Sequence, residues 1–94
     1  MKTIQHFVNG KSFSGESKRT GKIFNPATGE QEAEVKLATV KDINEAVANA
    51  KKAFDAWANT PPLQRARIMF KFKELIEKNS DELTKTIVME HGKV

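Results

Sequence analysis

The sequence predicts an α/β fold in which an N-terminal hairpin and other short strands are followed by three helices. Before about residue 38, short β-type segments alternate with turn residues. After it, apolar residues recur at steps of three and four, the period of a helix. A chain of 94 residues makes one domain at most. Its core would be thin, because a chain this short buries only somewhat over ~60% of its extended surface.

The first predicted element is a β-hairpin. Asn9 and Gly10 form the strongest two-residue hairpin signal. Residues 4–8 and 11–14 would be its two antiparallel strands, and the polar residues 15–21 would form a surface loop.

A turn and two further strands complete the first part of the chain. Asn25 can fold its side chain back onto the backbone two residues ahead, Pro26 presets φ, and Gly29 can adopt a positive φ. This turn would lie between a short strand at residues 22–24 and a longer one at residues 30–38. The second of these strands alternates charged and apolar side chains, as a half-buried strand does.

Capping residues predict where the helices begin and end. Thr39 is a natural N-cap, and Asp42 supplies the acidic partner of a capping box. Thr60 would cap the second helix, Ser80 would cap the third, and Gly92 would end it. The predicted spans of the second and third helices are residues 62–79 and 81–91.

The second helix is apolar on two nearly opposite sides, which is unusual for a surface helix. Such a helix needs cover on both sides, and two helices and a few short strands can scarcely provide it. Either an oligomer or a loosely packed small domain supplies this cover, or the chain is a piece of something larger, and we favour the second interpretation. The two apolar sets are Leu63, Ala66 and Phe70 on one side and Ile68, Phe72 and Leu75 on the other.

Charge and composition exclude several classes of function. The net charge is +4, with an excess of two basic side chains on each side of residue 38. The densest basic cluster, at residues 65–73, is followed at once by Glu74 and Glu77, whereas binding along a phosphate backbone needs an uninterrupted basic stripe. No apolar run approaches the ~18 residues of a membrane span, and the N-terminus has no apolar segment of the kind a secretory signal needs. We therefore expect a cytoplasmic protein that binds neither nucleic acid nor membrane.

The residues of this chain predict no catalytic or cofactor-binding site. There is no Cys, which excludes a thiol nucleophile, and the glycines occur singly rather than in a phosphate-binding loop. His6 is expected to be a packing or surface residue. His91 lies near a helix C-terminus, where a positive charge is favoured.

Four blocks of the sequence together resemble the N-terminal segment of the aldehyde dehydrogenase superfamily. They are HFVNGK (6–11), NPATGE (25–30), DINEAVANAKKAFDAW (42–57) and RARIMFKFKELIEKNSDELTKTIVMEHGK (65–93). Their order and spacing cover essentially the whole chain but only about the first fifth of a family member. Within the superfamily, RARIMFKFKELIE and EHGK most resemble the CoA-acylating branch, the methylmalonate-semialdehyde dehydrogenases.

The resemblance implies an NAD-dependent oxidation of an aldehyde through a thioester, with CoA as co-substrate. The catalytic Cys, the general-base Glu, the oxyanion-stabilising Asn and the main NAD-binding region all lie later in the family than residue 94. This segment would be an outer part of the coenzyme-binding domain, with the rest of the dehydrogenase chain as its partner, in a homo-oligomer. The chain alone would not be catalytic.

The resemblance also implies one possible metal site. Many relatives bind a monovalent cation through main-chain carbonyls, and the matching positions here are Phe24 and Glu90. The family more often has Asp at the second position.

A second function from a different class remains open. The chain could be a self-standing α+β interaction module that binds a protein through the exposed faces of its second helix.

Overall fold

In the computed structural model, residues 1–92 are described and form five strands followed by three helices. The strands are β1 (Lys2–Ile4), β2 (His6–Val8), β3 (Lys11–Phe13), β4 (Thr20–Phe24) and β5 (Gln31–Lys36). The helices are α1 (Val40–Ala58), α2 (Pro62–Lys78) and α3 (Ser80–His91). This order of elements confirms the predicted α/β class, with its hairpin and short strands before three helices.

Strands β2 and β3 form the predicted antiparallel hairpin, with Val8 opposite Lys11. Asn9 and Gly10 have φ values of 54° and 76°, the left-handed conformation that a type I′ turn requires at both positions. The first strand of the hairpin, β2, is shorter than the predicted residues 4–8, because Ile4 belongs to β1.

The other three strands form a separate sheet with β5 at its centre. Strand β1 pairs with β5 in parallel, and β4 pairs with it in antiparallel fashion. Strand β1 is absent from the sequence prediction, because its partner is distant in the chain and leaves no local signal. Strand β4 begins two residues earlier than predicted, because Thr20 and Gly21 pair with Lys36 and Val35.

The two faces of this sheet differ in polarity, as the alternation in β5 predicts. On one face the hydroxyls of Thr3 and Thr20 donate to the carboxylate of Glu34, at 3.0 and 3.4 Å. On the other face Ala33, opposite Ile23 of β4, is only 6% exposed. The apolar face of the sheet is therefore the side on which helix α3 can pack.

Helix α1 begins with the predicted capping box. The backbone N–H of Asp42 donates to Thr39 Oγ1 at 3.0 Å. The backbone N–H of Thr39 donates to Asp42 Oδ2 at 2.9 Å. Two N–H groups at the start of α1 are thereby satisfied reciprocally.

The N-caps predicted for the other two helices are wrong. The hydroxyl of Thr60 donates back to a carbonyl of α1 at 2.8 Å, so Pro61 occupies the N-cap position of α2 with no side-chain bond. Ser80 is already the first residue of α3, and its N-cap position is held by Asn79. The Asn79 amide donates to the Leu75 carbonyl of α2, at 2.8 Å. In both cases the polar side chain donates to a carbonyl at the end of the preceding helix and does not cap the N-terminus of the following one.

The helices and strands leave most of their large apolar side chains exposed. In residues 1–92 only Ala33 and Asp42 are buried, with 6% and 4% of their surface exposed. The radius of gyration is 17.1 Å, whereas a compact chain of this length would have about 12 Å. Phe70 and Phe72 of α2 are 69% and 55% exposed. Both sides of α2 are thus uncovered, as the sequence predicts for a piece of a larger protein.

Candidate functional site

The Asn-Pro turn that follows β4 is held by a small network of hydrogen bonds. The side-chain oxygen of Asn25 accepts from the backbone N–H groups of Ala27 and Thr28, at 2.8 and 3.3 Å. The N–H of Gly29 donates to the main-chain carbonyl of Asn25 at 2.7 Å. These bonds confirm the predicted fold-back of Asn25. They fix the backbone immediately after Phe24, the last residue of β4.

The C-terminal end of α3 lies against this turn. Gly92 ends the helix in a left-handed conformation, with φ of 73°, as predicted. A Cβ atom at Gly92 would lie 3.1 Å from both Cβ and Cγ of Pro26. One turn earlier, Glu90 and Met89 line a cavity of about 250 Å³ together with Ile23 of β4.

The two residues predicted to offer carbonyls to a cation therefore lie on segments that meet at one corner of the molecule. Phe24 follows Ile23 directly, and Glu90 lies in the last turn of α3. The last four carbonyls of a helix have no partner within the helix. The partial negative charge of the helix C-terminus also favours a cation. His91, exposed in the same turn, lies where a positive charge is favoured. The cation site itself stays a prediction.

Side chains do not form an alternative metal site in the part of the chain that the structure describes. No group of three or more His, Asp or Glu residues between positions 1 and 92 is placed to hold a metal ion. A cation at the corner between β4 and α3 would depend on main-chain oxygens. Over the same residues, none of the helices combines the length and apolarity needed to cross a membrane.

A second polar cluster joins the loop after the hairpin to the start of α1. Asp42 is only 4% exposed, and its Oδ2 accepts from the backbone N–H of Glu16 at 3.4 Å in addition to that of Thr39. Gly15 packs so closely that a Cβ atom there would lie 2.6 Å from Asp42 Oδ2. Above this contact, Lys41 Nζ forms an exposed ion pair with Glu16 Oε1 at 3.0 Å.

Hydrogen bonds shift the pKa values of two groups in this cluster, Asp42 and Lys41. The backbone N–H of Thr39 is the largest cause that lowers the pKa of Asp42 below its ordinary 3.8, and it outweighs the opposing effect of burial. Because the folded pKa is depressed, the carboxylate stabilises the fold above the unfolded pKa, and this contribution is lost as the pH falls through the folded value. The hydrogen bond to Glu16 raises the pKa of Lys41, but an exposed pair of this kind contributes little.

The contact between Asp42 and the loop was not predicted from the sequence, which indicates only the capping role of this residue. The one available signal is Gly15, one of two glycines in the predicted loop at residues 15–21. His6 is half-buried, as a packing residue would be, with its ring 6.2 Å from the ring of Phe13. His6 lies in β2, and His91 is the last residue of α3, next to Glu90 in the chain.

Sequence comparison identifies a family for nearly the whole chain. The model of the aldehyde dehydrogenase family matches residues 13–94. Malonate-semialdehyde dehydrogenase from Pseudomonas aeruginosa is 42% identical over 93 residues, which cover 99% of this chain and 18% of that protein. The corresponding enzyme from Bacillus pumilus is 41% identical over 90 residues, 96% of this chain and 18% of the relative.

Solved structures give the same result. Methylmalonate-semialdehyde dehydrogenase from Oceanimonas doudoroffii superposes with a TM-score of 0.91 at 47% identity, over 97% of this chain and 18% of that one. A putative methylmalonate-semialdehyde dehydrogenase from Sinorhizobium meliloti, complexed with NAD, has a TM-score of 0.92 at 44% identity and the same coverage. The chain spans about a fifth of the length of these relatives. From the family model and the superposed folds together, this chain belongs to the aldehyde dehydrogenase family.

Proposed function

We propose that this chain is the N-terminal part of an NAD-dependent semialdehyde dehydrogenase of the methylmalonate-semialdehyde type, which oxidises an aldehyde to an acyl-CoA or an acid. The observation that supports this most is the superposition on two such enzymes at TM-scores of 0.91 and 0.92. One of them is complexed with NAD, which supports NAD as the cofactor. CoA as co-substrate is proposed from the subfamily alone.

In this proposal the segment acts as a scaffold and not as a catalyst. Its sequence has no Cys, so the covalent step of a thioester mechanism cannot take place on its residues. Its uncovered surface supports the rest of the dehydrogenase chain as its partner, because helices α1 to α3 expose apolar side chains along their lengths. We further propose that the complete protein is a cytoplasmic homo-oligomer.

The purified 94-residue chain is expected to neither oxidise an aldehyde nor bind NAD measurably. The physical reason is the lack of a thiol and of a glycine-rich phosphate-binding loop. The measurement is NADH formation from methylmalonate semialdehyde, with and without CoA, and NAD titration by calorimetry. The full-length chain is the positive control, and it should produce NADH.

Two outcomes would contradict the proposal. NADH formation by the 94-residue chain above a blank would place catalytic groups within it. A cooperative melt of the isolated chain, independent of concentration and with sharp, dispersed NMR signals, would instead favour the self-standing interaction module.

We also propose a monovalent cation between the main-chain carbonyls of Phe24 and Glu90. The close approach of Gly92 to Pro26 supports it, because this contact holds the C-terminus of α3 next to the turn. Such a site uses no side chain as a ligand, and its geometry depends on where the C-terminus of α3 lies relative to the turn.

The expected result is that Na⁺ or K⁺ raises the melting temperature of the full-length chain more than choline does at equal ionic strength. At ten times the dissociation constant, a bound ion contributes about 1.4 kcal/mol. Gly92→Ala should reduce the effect, since the added Cβ atom would displace the helix from Pro26 at 3.1 Å. Gly10→Ala is the matched control, because its φ of 76° is similar and nothing lies within 4 Å. An identical response to all three cations would refute the site.

A further inference from the structure

Two polar atoms at the contact between the hairpin and α1 are buried without a hydrogen-bond partner in residues 1–92. They are Nε2 of His6, in strand β2, and Oδ1 of Asp42, in the first turn of α1. Asp42 is only 4% exposed to solvent. Its other oxygen, Oδ2, is fully engaged by the N–H groups of Thr39 and Glu16.

Both side chains line the same cavity, which has a volume of about 250 Å³ and lies between the hairpin and α1. The side chains of Phe13, Ile43 and Ala46 form much of its remaining wall. Neither atom forms a hydrogen bond with the other. A water molecule occupies about 30 Å³ in the liquid, and the cavity has room for one.

Physical chemistry restricts what can lie between these atoms. Buried polar groups in folded proteins are nearly always hydrogen-bonded, to protein or to ordered water. A buried water needs at least two polar partners, and Nε2 and Oδ1 provide one donor and one acceptor. A neutral imidazole can place its single proton on Nε2. A carboxylate oxygen accepts only.

We propose that one buried water joins His6 to Asp42. The Nε2–H group of His6 donates to the water oxygen, and the water donates one of its protons to Asp42 Oδ1. No covalent bond changes. His6 is therefore a positioning residue for the start of α1, and the water is a structural part of the fold.

This bridge gives one carboxylate three attachments. Through Oδ2 it holds the N-terminus of α1 and the loop at Gly15 and Glu16. Through Oδ1 and the water it holds the hairpin. The inference does not depend on the reaction of the full-length protein, and its test uses no activity measurement.

The experiment compares two variants of His6 in the full-length chain. His6→Leu removes the donor and is expected to lower the melting temperature by about 2–4 °C. His6→Gln should restore most of the loss, because the amide nitrogen of Gln can take the place of Nε2. In an Asp42→Ala background, His6→Leu should have little further effect, because the two residues act through one bridge.

Two direct observations complete the test. A high-resolution crystal structure should show a water within hydrogen-bond distance of both His6 Nε2 and Asp42 Oδ1. Histidine ¹⁵N chemical shifts should show that Nε2 of His6 carries a proton. The proposal is overturned if His6→Leu melts like the unmodified chain, or if its loss is the same in the Asp42→Ala background. It is equally overturned if a residue beyond position 94 bonds Oδ1 in the crystal. Should Asp42→Ala not fold, the crystal density of the unmodified chain decides.

Discussion

Replacing Phe72 with alanine in the full-length chain is expected to lower the free energy of unfolding by about 3–5 kcal/mol, the usual cost of truncating a buried Phe. In the 94-residue chain this side chain is 55% exposed. It lines an apolar groove of about 540 Å³ with Leu75 and Ile76 of α2 and Leu83 of α3. A groove of this size and character on a segment of a larger protein indicates a surface that the remaining chain covers. Chemical denaturation of the full-length variant measures the loss.

Phe70→Ala is expected to have an effect of the same size, although it lies on the other side of α2. Side chains two positions apart in a helix point in directions that differ by about 200°. Phe70 is 69% exposed in this chain. Lys71→Ala is the matched control between them. Its side chain is 65% exposed and only pairs with Glu74 at 3.6 Å, so the change should stay within about 0.5 kcal/mol. If both Phe variants unfold like the unmodified protein, two-sided burial of α2 is wrong.

Gly15→Ala is the second substitution with a large expected effect. Gly15 has φ of +73°, where a residue with a side chain loses about 1–2 kcal/mol. The added Cβ atom would also lie 2.6 Å from Asp42 Oδ2, so the loop must move away from α1. That movement breaks the hydrogen bond from the N–H of Glu16 to the same oxygen. The measurement is the denaturation midpoint of the full-length variant.

The Gly10→Ala variant separates the two causes. Gly10 has nearly the same φ, +76°, but nothing lies within 4 Å of its added Cβ atom. It therefore reports the cost of the backbone conformation alone. Gly15→Ala should destabilise the protein clearly more than Gly10→Ala. Equal losses would mean that the contact between the loop and Asp42 does not contribute to stability.

Features that depend on neighbouring residues were predictable from the sequence. The turn at Asn9 and Gly10, the fold-back of Asn25, the capping box of Asp42 and the end of α3 at Gly92 each require only a few adjacent positions. Strand β1 was missed because its pairing partner is Ala33 and the residues after it, about thirty positions away, and three residues have no readable period. The caps at Thr60 and Ser80 failed because a hydroxyl or amide between two helices can bond either one.

In the candidate sites, too, features that depend on adjacent residues were predictable and contacts between distant residues were not. The positions of Phe24 and Glu90 came from the resemblance to the family, whereas their approach follows from the contact of Gly92 with Pro26, which no local pattern encodes. The capping role of Asp42 was predictable from its spacing to Thr39. Its contact with Gly15 was not, because it depends on how the loop returns from the hairpin. The cavity it shares with His6 likewise exists only in three dimensions.

The parallel pairing of β1 with β5 has a consequence for the order of folding. The helices and the β2–β3 hairpin form from neighbouring residues, but β1 must close a loop from Lys2 to Ala33. The chain entropy lost in closing about thirty residues is on the order of 3 kcal/mol. This cost in free energy opposes the pairing of β1 with β5, which involves only three residues of β1. On a growing polypeptide, β1 therefore stays unpaired until Ala33 and the residues after it have been synthesised, whereas the β2–β3 hairpin can form before β5 exists.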